Sequence, residues 1–305
     1  MTGGPQAALL PDGRRLHLHH GPIDIVAEAF GPPAEVRRAY RRAVERFQDV
    51  LETLVAELPV LRAAVTDGGV HVRGPVARRM AEAVWPHRAT FITPMAAVAG
   101  AVADELLAAM VADRTLTRAY VNDGGDIAFH LAPGQSLRAG LVNDQDAPAI
   151  DAGVELTHAM PARGLATSGW RGRSHSLGIA DAATVLARTA AAADAAATLV
   201  ANAVNVEHPA VGRAPANSLR DDTDLGDRLV TVAVGPLPDA LVEAALASGA
   251  AVAEAMRARG LIHAAYLALQ GRVRVVGGAP AVTGGLDKRP LGVPDANETT
   301  GERDR

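Results

Sequence analysis

A chain of 305 residues, 49% hydrophobic and 21% charged, can bury a sizeable core and has the balance of an ordinary soluble globular protein. A formal net charge of −4 argues against a general nucleic-acid binder, and the absence of cysteine excludes disulfides, thiol nucleophiles and thiolate metal centres. No apolar run reads as membrane-spanning and no basic start with an apolar stretch suggests export, so a cytoplasmic protein without a membrane partner is expected.

Residues 1–13 read as a flexible arm. Leu16 to Ala29 alternates as two short strands joined near Gly21-Pro22. His17 and His19 fall on one face of that pair and His20 on the other, so this segment alone cannot converge three metal ligands. Pro33 opens an amphipathic helix to about Glu57, with Arg37, Arg38, Arg41, Arg42 and Arg46 between Val36, Tyr40, Val44, Phe47 and Leu51. That arginine row reads either as an anion attractor or as a solvated face paired with glutamates. A short strand is expected after Asp67-Gly68-Gly69, then a helix near 75–85. Thr93 and Pro94 have the form of a capping hydroxyl and a first helical residue, opening a helix to about Ala112. Its Ala96, Ala97, Ala99, Gly100, Ala101 and Ala103 leave room for a close-packed backbone or a flat ligand.

Arg118 to Leu131 reads as strand, turn, strand, bending at Asp123-Gly124-Gly125-Asp126. The glycines suit a hairpin; Asn122 and the flanking carboxylates leave a metal, a ribose or a loop as partners. Ser136 to Asn143 continues as a strand. The stretch from Gly164 to Asn205 carries the densest set of candidates: a Thr167-Ser168-Gly169 turn, then Trp170-Arg171-Gly172-Arg173, then His175, then an Ala-rich helix. Asp194, Thr198, Asn202 and Asn205 are spaced by four, four and three residues, which puts short oxygen-bearing side chains on one helical face. Residues 206–228 read as a long loop or lid, Leu229 to Val234 as a strand, Pro238 to Arg259 as a helix and Leu261 to Val276 as a hairpin. The sole lysine, Lys288, lies in a tail over residues 278–305 that reads as disordered, which leaves the core without Schiff-base or phosphate-loop chemistry. The order helix, strand, turn, strand over 101–131 recurs over 250–276. A duplicated β-β-α-α-β-β unit explains it. The expected class is α+β, with antiparallel sheets and helices on one side, in a single domain over 14–277 with halves at about 14–145 and 155–277.

Four of these segments, in this order, resemble the ApbE-like superfamily, whose best-known members are magnesium-dependent FAD:protein FMN transferases. They are AAVAGAVAD at 96–104, VNDGGDIA at 121–128, ATSG at 166–169 with His175, and ADAAAT at 193–198. The resemblance covers about residues 90–205 and implies a tandem T-fold. It also implies magnesium held by Asp194, Thr198 and the carbonyl of Ala96, with His175 as the catalytic histidine. Thr167, Ser168, Gly169, Arg171, Arg173, Asn122, Gly124, Gly125 and Asp126 would then contact FAD, FMN or another anionic nucleotide ligand. A flavoprotein acceptor is the implied partner, and self-association is implied by analogy with other T-folds. Two departures mark a divergent branch. Ala99-Gly100 stands where those transferases carry a Lys-Gly pair, and Ser176 to Asp181 replaces the usual segment after the histidine. Substrate and reaction can have changed with them, and a non-catalytic cofactor-binding or accessory protein is the alternative.

Overall fold

The computed structural model describes residues 3–113, 115–143 and 150–278, so most of the expected tail lies outside the described residues. The strands are β1 (Gln6–Leu9), β2 (Leu16–His20), β3 (Ile23–Phe30), β4 (Arg118–Asp123), β5 (Asp126–Leu131), β6 (Ser136–Leu141), β7 (Ala152–Thr157), β8 (Gly164–Ser168), β9 (Ala182–Ala187), β10 (Val211–Pro215), β11 (Leu229–Val234), β12 (Ala264–Leu269) and β13 (Arg272–Val276). The helices are α1 (Pro33–Phe47), α2 (Val50–Ala56), α3 (Leu58–Leu61), α4 (Pro75–Val84), α5 (Val98–Val111), α6 (Ala190–Ala203), α7 (Ala216–Leu219) and α8 (Asp239–Ala258).

Nine strands build one antiparallel sheet in the order β1-β2-β3-β4-β5-β8-β9-β12-β13. On one side of the β5–β8 seam the sheet holds five strands, β1 to β5, with a helical stretch between β3 and β4; on the other it holds four, β8, β9, β12 and β13, with α6, the separate β10–β11 pair, α7 and α8 between β9 and β12. The seam is short. Only Ile127↔Leu165 and Ala128↔Gly164 pair across it. The α+β class with antiparallel strands is therefore observed.

Helices α5, α6 and α8 cover one face of the sheet and share its main core. Helix α6 is the innermost layer. Ala193, Ala195, Ala196, Ala197 and Ala201 have no exposed surface, so its neighbours approach at backbone distance and a larger side chain there would overpack. The opposite face is not bare: the β6–β7 pair lies over it, burying Leu141, Val154 and Leu156 against Phe129, Leu131, Leu165 and Tyr266. The expectation of helices on one side holds, while the β6–β7 layer on the other is an addition.

Several local expectations change. The arm carries edge strand β1, which pairs with β2. The helix expected from Pro33 to Glu57 breaks at Gln48-Asp49 into α1 and α2. No strand follows Asp67-Gly68-Gly69. Pro94–Ala97 is a turn of 3-10 helix ahead of α5, and Thr93 makes no cap bond to it; its hydroxyl is taken by the Asp224 carboxylate. The supposed lid at 206–228 contains β10 and α7. It is fastened by that Asp224 contact, by Arg62–Asp222 at 3.0 Å and by Arg228 stacked on Phe91. Pro94–Val111 is also long and apolar enough by composition to cross a membrane, contrary to the sequence reading, and half of it is buried within the fold.

His87, 6% exposed in the 3-10 turn that follows α4, gives the fold a specific acid sensitivity. Burial, helped by the charge of Arg259, pushes its pKa down from 6.5 to about 4. The unfolded chain therefore binds this proton first, so the stability is present above pH 6.5 and is lost as pH falls toward 4. Urea unfolding at pH 7 and pH 4 is expected to show the unaltered protein losing on the order of 3 kcal/mol more than His87→Gln.

Candidate functional site

The site forms where the β4–β5 bend, the end of β8 and the first turns of α6 meet. Gly124 and Gly125 have φ of +65° and +114°, which lets the chain reverse in two residues between Asp123 and Asp126, paired across the bend. Asn122 stabilises the reversal by accepting the Gly125 N–H at 2.8 Å. Asp126 leans to the seam. Beyond the two paired positions of β5 and β8, its Oδ1 accepts the Thr167 N–H at 3.2 Å.

Helix α6 supplies the third acid. Its N-terminus is capped twice: Thr189 accepts the Ala192 N–H at 3.2 Å, and Asp104 on α5 accepts those of Ala190 and Ala191 at 3.0 and 2.9 Å. One turn on, Asp194 Oδ2 accepts the Gly100 N–H from α5 at 3.1 Å. A Cβ at Gly100 would lie 2.3 Å from the Ala190 carbonyl oxygen, so only glycine allows this crossing. Thr198 follows Asp194 by one turn on the same face and is half-buried, as is Ala96 in the 3-10 turn packed against α6.

Three carboxylates thus share a poorly solvated space. Burial pushes Asp123 up to about 7, opposed by the Asp24 N–H that it accepts and by the charge of Arg173. Burial also raises Asp126, with Asp123 adding repulsion against the Thr167 N–H. Asp194 is raised furthest from the ordinary range, first by burial and then by the charge of Asp126, with Asp123 and Asp104 adding to it. Asp126 and Asp194 are half-buried as residues, while Asp123 is buried. Among the described residues no three His, Cys, Asp or Glu side chains are arranged to hold a metal. A metal here therefore needs hydroxyl or carbonyl oxygen beside the carboxylate.

The other expected residues are placed unevenly. Thr167 bonds its hydroxyl to Thr184 at 2.8 Å, Ser168 ends β8, and Gly169 is buried against the Asp181 carbonyl. Arg171 pairs with Asp181 at 3.3 Å and stacks on Trp170, whose indole N–H also reaches Asp181. Arg173 lies over the Gly-Gly bend. His175 is half-buried with Nε2 enclosed and without a hydrogen-bond partner among the described residues. Its neighbour Ser176 is tied to Asn202 at 3.2 Å, eight residues along α6 from Asp194, or roughly 12 Å. Asn202 and Asn205, expected to join the polar stripe at the site, instead fasten the loop at Leu177. Asp123 was weighed only as a flank of the bend. Strand alternation with buried Ala119 and Val121 places it on the inner face and is the signal that would have found it.

A family model described as AbpE bacteria matches residues 7–275. The chain belongs to this family, within the ApbE-like superfamily. The ApbE-like chain is 34% identical to a UPF0280 protein of Methanopyrus kandleri over 59% of this chain and 71% of that one. It is 38% identical to a UPF0280 protein of Methanococcoides burtonii, over 40% of this chain and about half, 51%, of the relative. A mutant of the flavin transferase ApbE from Vibrio cholerae is similar in structure at a TM-score of 0.46 and 11% identity, covering 92% of the ApbE-like chain and 98% of that chain.

Proposed function

We propose that this ApbE-like chain is a cytoplasmic protein that binds FAD, FMN or a related heteroaromatic phosphate together with magnesium. It would transfer FMN to a flavoprotein acceptor or act on another substrate, with association of the chain into a homo-oligomer as part of the same reading. The observation that carries this is the set of acids Asp123, Asp126 and Asp194, which the β4–β5 bend and α6 bring together and whose pKa values are raised first by burial and, for Asp126 and Asp194, further by neighbouring carboxylates. The donors fit a hard cation: the Asp194 carboxylate, the Thr198 hydroxyl one turn away and the Ala96 carbonyl are oxygen ligands of the kind magnesium takes. Bound there, magnesium would supply positive charge that neutralises a pyrophosphate as a phosphorus–oxygen bond breaks.

The chain's own groups take the remaining roles. Thr167, Ser168 and Gly169 line the edge of the seam, Asn122 keeps the bend closed, and Arg173 offers donors to an anionic group. Arg171, held by Asp181, orients the Trp170 loop. His175 would hold or release a proton at Nε2. Calorimetric titration with magnesium, then FAD and FMN, tests the reading. Nucleotide binding that needs magnesium and weakens at least about tenfold in Asp194→Ala is expected. No binding by the unaltered protein, or full affinity in the variant, rejects it.

A second reading, a non-catalytic cofactor carrier or accessory protein, is favoured by Ala99 at the position where the transferases it resembles carry lysine. Chromatography of the nucleotide after incubation with magnesium separates the two. Recovery of intact FAD from the bound complex supports the carrier, and cleavage supports the enzyme.

A further inference from the structure

The β10–α7–β11 insert between α6 and α8 reaches back across the fold to the turn that precedes α5. Residues 220–228 form its outer loop. The Gly226 carbonyl accepts the Asn217 N–H at 2.9 Å and the Arg228 carbonyl accepts that of Ala216 at 2.9 Å, which closes the loop on itself. Arg62 pairs with Asp222 at 3.0 Å, and the Arg228 guanidinium lies 3.4 Å over the Phe91 ring. A further contact runs inward: half-buried Asp224 accepts the hydroxyl of Thr93, which is 2% exposed. Thr93 stands where a hydroxyl would ordinarily cap the Pro94–Ala97 turn, yet it makes no cap bond. Its carbonyl serves the turn instead, accepting the Ala96 N–H at 3.1 Å. An unbroken chain of hydrogen bonds thus leads from the Asp224 carboxylate through Thr93 to Ala96. Beyond the turn lies α6, packed against it and carrying Asp194 and Thr198.

We propose that Asp224 is a positioning residue for the Ala96 carbonyl, acting through Thr93 to fix the 3-10 turn against α6, where that carbonyl joins the oxygens of Asp194 and Thr198. The inference rests on the magnesium reading above. A main-chain carbonyl takes its direction from the backbone that carries it, and the methyl side chain of alanine offers no polar group to steer it. Pinning Thr93 fixes the peptide plane at the start of the turn, and the Ala96 N–H carries the restraint onward. Magnesium demands near-ideal octahedral geometry at short distances, so a carbonyl free to shift costs affinity. The coupling is reciprocal: metal held on the α6 side of the turn steadies the 220–228 loop by the same free energy that the loop lends to metal binding.

Two measurements on the full chain test this. The first is amide hydrogen exchange without metal, read in a peptide over 91–98, with one over 264–269 in β12 as the reference for global opening. Asp224→Ala is expected to speed exchange in the first peptide about fivefold and to leave the second unchanged, because only a local tie is cut. Asp224→Asn keeps an oxygen to accept the hydroxyl and is expected to exchange as the unaltered protein does. The second is magnesium affinity by calorimetry. Asp224→Ala and Thr93→Val are each expected to weaken magnesium about tenfold, the double variant no further than either alone, and Asp224→Asn less than about twofold. Unchanged exchange over 91–98 in Asp224→Ala overturns the inference, as does full magnesium affinity beside faster exchange, or additivity in the cycle. Faster exchange in both peptides overturns it too, marking Asp224 as a support of the whole fold. Failure of the unaltered protein to bind magnesium rejects the proposed function instead, and the exchange comparison still decides whether Asp224 holds the turn.

Discussion

Asp194→Asn is expected to melt a few degrees above the unaltered protein at pH 8 without added metal, and to lose any stabilisation by magnesium. Asparagine keeps the oxygen that accepts the Gly100 N–H at 3.1 Å and removes the charge that Asp126 and Asp123 repel. The sign follows from the direction of the shift. A carboxyl whose folded pKa is raised binds its proton more readily in the folded chain, so its contribution is fully present below the unfolded value of 3.8 and is lost as pH rises through the folded value. For Asp123 that window runs from 3.8 to about 7. The unaltered protein should therefore lose stability from pH 5 to pH 8 while Asp194→Asn loses less. The gain at pH 8 is on the order of 1–2 kcal/mol, the usual size when a strained functional charge is removed. Magnesium should raise the melting temperature of the unaltered protein more at pH 8 than at pH 5, because protons compete for the same oxygens. Scanning fluorimetry over pH, with and without magnesium, measures all of this. A lower melting temperature for the variant at pH 8 would show that the acid supports the fold rather than awaiting a cation.

The parts of this architecture that local chemistry dictates were readable in the residues themselves. Alternation marked β2, β3, β4 and β5, the Gly-Gly bend marked their reversal, and the four-residue spacing put Asp194 and Thr198 on one face of α6. What could not be read depends on contacts between distant segments. Asp104 caps a helix 86 residues away, and Thr93 bonds to Asp224, 131 residues on. Neither leaves a periodic trace. Helix-start rules assigned the Thr93 hydroxyl to its own helix because they consider only neighbours in sequence. The β6–β7 layer was missed for a related reason: Ser136 to Leu141 reads as a strand whichever sheet it joins.

The polar stripe shows how a sound local inference divides in three dimensions. Asp194 and Thr198 sit where α6 passes α5 and the bend. Asn202 lies in the last turn of α6 and Asn205 two residues past its end, where a neighbouring loop needs anchoring. Asn202 accepts from Ser176 and Leu177, while Asn205 accepts from Arg213. One face of a 14-residue helix, about 21 Å long, is simply too extended to serve a single small site. Shared direction does not make shared purpose.

Gly164→Ala is expected to cost more than about 3 kcal/mol and to remove magnesium binding along with stability. A Cβ at Gly164 would stand 2.1 Å from Ala190 N and from Thr189 C, both backbone atoms at the start of α6. No side-chain rotation relieves such a contact, so the helix N-terminus must shift or β8 must leave its register with β9. Either movement breaks the double cap from Thr189 and Asp104 and takes Asp194 away from the Gly100 N–H. The loss should therefore appear in guanidinium unfolding and in the magnesium titration together. Gly68→Ala is the control. Its Cβ meets only the Thr66 hydroxyl at 3.6 Å, an ordinary contact, and stability within about 0.5 kcal/mol of the unaltered protein is expected. Near-normal unfolding of Gly164→Ala would mean that α6 does not press on β8 at backbone distance. The placement of the acid on that helix against the bend would then need another explanation.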